Sequence, residues 1–243
     1  MSKVVVACVK WGNKYPSSYV TRLRNMVRRN LNVPHEFFCL TDDGTNLPDD
    51  VHVVPLTENW TGWWNKICLF NPDLFPEGAR ILYLDLDVVI TGSIDFLLDE
   101  ELSFSACRPF SGKQNVRCNS SILCFPSGPY RYLYDGLKVD GSIVERYPGD
   151  QDYISDLVKE IDWFQSDKVV SYKFDLGSTF WGTALPEKIR RGLPRIAPLP
   201  AMETVLPKEV SVVVFHGKPD PEDVAKKSYK GYRKAPFVSQ HWQ

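Results

Sequence analysis

Two aspartates, Asp85 and Asp87, interrupt an apolar run that extends from Ile81 to Ile90. Because residues in a strand alternate between its faces, these two carboxylates point the same way. An unpaired buried charge is costly, so we expect the strand to end near Leu84. The acids then lie at the carboxyl end of a buried strand, where open α/β sheets bind ligands. Since hard divalent cations take carboxylate and phosphate oxygens, the pattern predicts a Mn²⁺ or Mg²⁺ site that holds a diphosphate.

The Asp-x-Asp pattern also has a purely structural interpretation. The small residues Thr91, Gly92 and Ser93 follow it, and a short amphipathic segment covers Ile94–Leu98. Two exposed acids in such a turn would cap that segment without binding anything. A pattern this short is a weak signal alone, and the strand before it and the turn after it favour the metal site.

A second group of candidate residues follows the last apolar run, Val210–Phe215. A neutral His216 imidazole suits Mn²⁺, and it would complete a site with the two aspartates if this strand borders theirs. Gly217 allows close backbone approach to a ligand, and Lys218 can neutralise a phosphate. A histidine after a strand also serves structural roles, and that interpretation remains open.

Hydrophobic patterning predicts an α/β protein whose first strands pair in parallel. We expect strands at Val4–Val9, Glu36–Thr41, Val51–Pro55, Leu102–Cys107, Ser120–Phe125, Lys168–Phe174 and Val210–Phe215. We expect a first helix from Ser17 or Ser18 to about Leu31, with one of these serines as its N-cap. We expect a second helix over Tyr130–Leu137 and a third that begins at Asp150, with Asp150 as its N-cap. No GxGxxG follows the first strand, and the sequence contains no P-loop motif.

Three tryptophans, Trp60, Trp63 and Trp64, stand just before Lys66. The apolar pattern predicts a short buried helix here, with Lys66 on the side away from the core. Aromatic side chains dominate core packing, so we favour a core role over a ligand platform for the tryptophans.

The bulk composition indicates an ordinary folded domain and excludes some partners. The 243 residues suit a single domain, 1–243, with a basic and aromatic C-terminal tail at 225–243. The net charge of −1 gives no reason to expect a nucleic-acid partner, and 24% charged residues argue against disorder. The tail could contact an anionic membrane surface, close over a ligand or stay solvated.

The cysteines and the N-terminus predict a cytoplasmic protein. The six cysteines lie mostly in apolar runs without a CxxC pair, so we expect reduced, buried thiols and no zinc site or disulfide framework. The segment Met1–Val9 is too short and too quickly polar for a secretory signal. No later stretch reaches the roughly 18 apolar residues of a membrane span.

Four segments together resemble the GT-A glycosyltransferases, most closely the glycosyltransferase family 8 type, which includes the glycogenin and bacterial galactosyltransferase relatives. In chain order they are Ala79–Ile94 with its YLDLD core, Cys118–Leu123, Gly149–Asp152 and His216–Pro219. The resemblance covers most of the chain. It implies a Rossmann-like nucleotide-diphospho-sugar transferase fold with a mixed, mostly parallel central sheet flanked by helices.

The same resemblance implies a role for each matching residue. Asp85, Asp87 and His216 would hold the metal, with Asp85, Lys66, Gly217 and Lys218 at the donor diphosphate. Base and ribose would lie against Lys10, Tyr15, Asp42 and Asp43, and the donor sugar would face the candidate catalytic residues Asn119, Asp150 and Gln151.

These expectations describe a metal-dependent, retaining glycosyltransferase that moves a sugar, with a UDP-sugar as the expected donor, to a hydroxyl of a glycan, lipid or protein. A metal ion and a lysine would stabilise the charge that develops on the leaving nucleoside diphosphate. Acceptor selection would fall to the loops 110–118 and 177–207. The alternatives are a catalytically inactive carbohydrate-binding or scaffold domain on the same fold and a sugar nucleotidyltransferase.

Overall fold

The central feature of the protein is a mixed β-sheet. The computed structural model describes residues 3–99, 101–110, 118–177 and 203–243, and within them the sheet has seven strands in the order β3-β2-β1-β4-β7-β6-β8. These strands are β1 (Val4–Lys10), β2 (His35–Thr41), β3 (Val51–Pro55), β4 (Arg80–Leu84), β6 (Ser105–Cys107), β7 (Asn119–Pro126) and β8 (Asp162–Trp163). Only β7 runs antiparallel to its neighbours, β4 and β6, and the other pairs are parallel. The expected mixed, mostly parallel α/β sheet is confirmed.

A second, three-stranded sheet contains the strand that leads to His216. Its strands are β5 (Val88–Ile90), β9 (Val169–Ser171) and β10 (Val212–Val214), with β10 in the middle. β10 is antiparallel to β5 and parallel to β9. The last apolar strand therefore borders β5, which begins just after Asp87, and does not border β4. Pairing of Val214 with Val88 still brings the segment after β10 beside the Asp85–Asp87 turn.

Helices cover both faces of the central sheet. In the part of the chain that the structure describes, the α-helices are α1 (Ser17–Asn30), α2 (Arg131–Val139), α3 (Ile143–Arg146), α4 (Asp150–Leu157), α5 (Pro221–Ala225) and α6 (Pro236–His241). The same residues include 3₁₀-helices at Gly62–Phe70, Pro72–Leu74 and Asp95–Leu98, and a π-helical turn at Tyr172–Leu176. None of the helices in the described part of the chain is both long and apolar enough to cross a membrane.

Strand alternation divides the core into two clusters, one on each face of the sheet. In β1, Val6 and Cys8 face α1, whereas Val5 and Ala7 face the 3₁₀-helix Gly62–Phe70. Each cluster buries apolar side chains that would otherwise contact water, which is the main stabilising contribution to such a fold. All six cysteines are buried free thiols, as expected.

Both predicted helix caps are wrong. Pro16 precedes α1, and Ser17 is its first residue, whose hydroxyl donates to the Thr45 carbonyl at 2.8 Å. Gly149 precedes α4, so Asp150 is the first helical residue, and its carboxylate is used elsewhere. The strand expected over Lys168–Phe174 is also shorter, because the π-helical turn follows Ser171.

Candidate functional site

Asp85 and Asp87 lie in the turn that joins β4 to β5, as the sequence predicted. β4 ends at Leu84, and the Asp85 backbone N–H donates to the Ser121 carbonyl of β7 at 2.8 Å. The Asp85 side chain is 26% exposed, and it accepts a hydrogen bond from the hydroxyl of Tyr83. The two acids thus stand at the carboxyl end of the β4 strand, on the edge where open α/β sheets bind ligands.

Lys66 lies at the centre of a buried polar cluster, and the prediction that it faces away from the core is wrong. Its Nζ is 3.1 Å from Asp150 Oδ2 and 3.3 Å from Asp85 Oδ1. It also donates to the Ser120 carbonyl at 3.1 Å and to the Ser120 hydroxyl at 2.9 Å. Burial lowers the pKa of Lys66, but the charges of Asp150 and Asp85 outweigh it, and the net shift is upward. Lys66 therefore stays charged and joins α4 to the aspartate turn.

Asp87 is buried and depends on Tyr15 for its hydrogen bond. The Tyr15 hydroxyl donates to Asp87 Oδ2 at 2.9 Å and is 3.4 Å from Asp220 Oδ1. Burial and the charge of Asp85 raise the pKa of Asp87 to about 7. Burial and the charge of Asp87 in turn raise the pKa of Tyr15, so its phenol stays protonated and remains a donor. Asp220 was not identified from the sequence, although an acid directly before Pro221 is a usable N-cap signal and Asp220 is the N-cap of α5.

His216 lies between two aromatic rings next to the candidate site. Its ring stacks on Phe110 at 5.6 Å and on Phe174 at 5.3 Å, and its Nε2 is 2.7 Å from the Ser171 hydroxyl. Burial and the nearby Lys173 ammonium lower the pKa of His216 to about 4, so the imidazole is neutral at pH 7.

The three predicted metal ligands are not brought together as a set. Among the described residues, no three His, Cys, Asp or Glu side chains are grouped closely enough to hold a metal ion. Asp85 and Asp87 lie in one turn, but the Nε2 of His216 is engaged by Ser171. The two carboxylates fit a hard divalent cation by ligand chemistry, whereas His216 as a third ligand remains a prediction.

Gly217 and Lys218 follow His216 on the surface. Gly217 has a φ of +68°, a left-handed conformation that glycine adopts without strain. The Lys218 side chain is 58% exposed, and its Nζ lies 2.7 Å from Asp220 and 2.9 Å from Asp223. An exposed lysine on its flexible stem can exchange such partners for a phosphate.

Three of the four residues expected at the base and ribose form a loop network of their own, whereas Tyr15 contacts Asp87. The buried Lys10 donates to the Asp43 carbonyl at 3.3 Å. The Gly12 backbone N–H lies 3.0 and 3.2 Å from the two Asp42 carboxylate oxygens. The backbone N–H of Thr45 donates to Asp43 and lowers the pKa of its carboxyl group. Lys10, Asp42 and Asp43 therefore meet at the ends of β1 and β2.

The three candidate catalytic residues differ in environment. Asp150 is buried and accepts a hydrogen bond from the Ser120 hydroxyl at 2.7 Å as well as the Lys66 contact. Asn119 begins β7 and accepts from the Ser121 backbone N–H at 3.1 Å. Gln151 is half-buried in the first turn of α4. Sequence reasoning missed Ser120, although it stands next to Asn119.

Tyr83 was also missed, although the strand period places it on the same face as Asp85 and so gave a usable signal. Residues 111–117 and 178–202 of the two loops expected to select the acceptor lie outside the described residues.

Comparison with known proteins identifies the fold. No protein-family model matches the sequence, and no curated protein matches it significantly. The chain is similar to the galactosyltransferase LgtC in complex with donor and acceptor sugar analogues, with a TM-score of 0.56 and 14% identity over 89% of this chain and 88% of that one. It is similar to the apo form of the glycosyltransferase GlyE of Streptococcus pneumoniae TIGR4, with a TM-score of 0.60 and 15% identity over 91% of this chain.

The bifunctional glycosyltransferase WbbM gives a TM-score of 0.57 with 12% identity over 94% of this chain. The chain spans 56% of the length of GlyE and 48% of WbbM, about half of each. At these identities the likeness is one of fold, and the fold is the GT-A fold of glycosyltransferases.

Proposed function

We propose that this protein is a metal-dependent glycosyltransferase of the family 8 type. In this proposal it moves a sugar, with retention of configuration, from a UDP-sugar to a hydroxyl acceptor on a glycan, lipid or protein. The observation that carries the proposal is the buried Lys66 cluster, which joins the aspartate turn after β4 to the start of α4 on a GT-A fold. Such a cluster fixes two carboxylates, Asp85 and Asp150, at one ligand-binding edge.

Asp85 and Asp87 are the residues that would hold Mn²⁺ or Mg²⁺, with His216 as the proposed third ligand. When bound, the metal ion would supply Lewis-acid stabilisation to the leaving diphosphate. Tyr15 orients Asp87 through its 2.9 Å hydrogen bond, and Lys66 orients Asp85 through its 3.3 Å contact. These two contacts limit the movement of both carboxylates before any ligand binds.

The remaining residues would bind the donor around this centre. In our proposal Gly217 and Lys218 contact the diphosphate, and Lys218 exchanges Asp220 and Asp223 for phosphate oxygens. The base and ribose would lie against Lys10 at the end of β1 and against three loop residues, Tyr15, Asp42 and Asp43. The donor sugar would lie against the last three candidates, Asn119, Asp150 and Gln151. Lys66 already contacts four oxygen atoms, so we propose that its main role is to position Asp85 and Asp150. Direct binding of Lys66 to the diphosphate stays a prediction.

The test is calorimetric titration of UDP, GDP, ADP and CMP into the purified protein, with Mn²⁺ and with EDTA. We expect one nucleoside diphosphate, UDP, to bind only with metal, and we expect Asp85→Asn to lose that binding. Asp135→Asn is the matched control, because Asp135 is an exposed acid on α2 that pairs with Arg131. Equal binding by the two variants would refute the metal site.

The alternative function is an inactive carbohydrate-binding or scaffold domain on the same fold. It predicts that no nucleotide binds under any condition and that no UDP-sugar is turned over. A sugar nucleotidyltransferase would instead release pyrophosphate from a nucleoside triphosphate and a sugar phosphate. Assaying both reactions beside the titration separates these functions.

We also propose that the protein works in the cytoplasm, in peripheral contact with an anionic membrane surface. The six free thiols suit a reducing compartment. In the tail, Tyr229 and Tyr232 pair across a tight turn that carries the exposed Lys230, with Lys226 and Lys227 exposed beside it. Binding to phosphatidylserine vesicles that weakens at high salt would support this membrane contact. No binding at low salt would refute it.

A further inference from the structure

The sequence pattern assigned Trp63 to the core, but this residue is 59% exposed. Its neighbour Trp64 is buried and packs near Tyr153, and Trp60 is half-buried against Tyr134. The core role is thus correct for Trp64, partly correct for Trp60 and wrong for Trp63. A single exposed aromatic is common on protein surfaces, so what matters is where this indole lies.

The helix spacing and one contact place this indole beside the Lys66 cluster. Trp63 and Lys66 are three residues apart in the 3₁₀-helix Gly62–Phe70, where side chains at i and i+3 lie on the same face about 6 Å apart. A methyl group at Gly149 would come within 3.2 Å of Trp63 Nε1, so the ring lies against the start of α4, beside Asp150. The exposed ring of Trp63 therefore lies at the surface beside Gly149, the residue that precedes Asp150.

The backbone that carries Trp63 is held rigidly. The buried Asn65 donates from its side-chain amide to the carbonyls of Trp60 and Gly62, both at 3.1 Å. Gly62 adopts a left-handed φ of +59°, which lets the chain turn into the 3₁₀-helix. An exposed aromatic ring on a fixed backbone loses little conformational freedom when a ligand covers it, which favours binding.

We propose that the exposed indole of Trp63 is a stacking platform for a sugar ring of the acceptor. One face of a pyranose presents C–H groups with partial positive charge, which complement the negative face of an indole ring. In the proposed function the donor sugar faces Asp150. An acceptor sugar ring stacked on Trp63 would then lie on the solvent side of the donor sugar, where the acceptor enters. This inference rests on the proposed function and makes the acceptor a glycan or a glycosylated molecule.

The direct test is binding of disaccharides to the full chain in the presence of UDP and Mn²⁺. Saturation-transfer NMR with lactose, maltose, cellobiose and N-acetyllactosamine should show at least one that binds the parent protein. We expect Trp63→Ala to weaken that binding about tenfold and Trp63→Phe to keep most of it, because a ring remains. Tyr132→Ala is the matched control, an exposed aromatic on α2 that lies against Tyr130, and we expect it to bind like the parent.

Kinetics then distinguish an acceptor platform from a donor contact. We expect Trp63→Ala to raise the KM for the acceptor about tenfold and to leave the KM for the donor unchanged. Unfolding midpoints of all variants should match the parent, because the ring is exposed. A raised donor KM with an unchanged acceptor KM, equal disaccharide binding by Trp63→Ala and the parent, or no disaccharide binding by the parent would each overturn the proposal.

The two proposals fail in different ways. If the transferase proposal is wrong, no sugar is transferred to any acceptor, whatever residue stands at 63. If only the platform is wrong, UDP binding and transfer persist and Trp63→Ala behaves as the parent does.

Discussion

Replacing Lys66 with methionine should strongly destabilise the protein. The Lys66 and Asp150 side chains are each 8% exposed and lie 3.1 Å apart, so the substitution leaves a buried carboxylate without its cation. Removing one partner of a buried ion pair costs about 3–5 kcal/mol. Asp85 is 26% exposed, so water screens its share of the loss, and Asp150 accounts for most of it.

The free energy of unfolding, from urea denaturation followed by circular dichroism, measures the effect. For a chain of this size the expected loss corresponds to a fall of about 6–20 °C in Tm. The slope of the urea dependence should not change, since the same surface is exposed on unfolding. Lys138→Met is the matched control: this lysine is 54% exposed and pairs with Glu58 on the surface, so its loss should change stability little.

The double variant Lys66→Met with Asp150→Asn tests whether the unpaired charge of Asp150 causes the loss of stability. Once Asp150 is neutral, no isolated buried charge remains, and a large part of the lost stability should return. A Lys66→Met protein within about 1 kcal/mol of the parent would refute the reasoning, because the cluster would then be no stronger than a surface pair. A double variant as unstable as Lys66→Met would show that Asp150 is not the group left stranded.

Two further substitutions examine other parts of the fold. Tyr15→Phe removes the hydroxyl that donates to buried Asp87 at 2.9 Å, so it should lower the free energy of unfolding by about 1–3 kcal/mol in urea denaturation; an unchanged midpoint would contradict the contact. Trp242→Ala should cost about 3–5 kcal/mol, because this buried ring packs on Tyr19 at 4.8 Å and ties the C-terminal tail to α1. Trp242→Phe should cost much less, since the indole Nε1 is buried without a hydrogen-bond partner among the described residues; equal losses in the two variants would argue against packing as the cause.

Local patterns were sufficient where structure depends on neighbours in the sequence. The end of β4 at Leu84 followed from the cost of burying charge, and the parallel strands β1 and β2 followed from their apolar runs. The helix caps were misassigned, because Ser17 and Asp150 have the right chemistry but use their side chains in contacts across the fold. Cap preference is weak enough for one tertiary hydrogen bond to override it.

The sequence also predicted some residues of the candidate site correctly and others wrongly. Asp85 and Asp87 were found because they interrupt an apolar strand, a signal contained within ten residues. The burial of Lys66 and the exposure of Trp63 were both predicted the wrong way round, because residues 64–70 are all buried and only the first turn of the 3₁₀-helix, with Trp63, faces solvent. Packing of α2, α4 and β1 around that helix decides which of its residues are covered.

The sequence by itself determined the class of fold, the aspartate turn and the order of the candidate segments, since each depends on residue types within a short window. Only the tertiary structure decided that Lys66 joins Asp85 to Asp150, that β10 pairs with β5 and that Ser171 engages His216. These contacts join residues between 19 and 126 positions apart, so the packing of whole elements, and no local preference, brings them together.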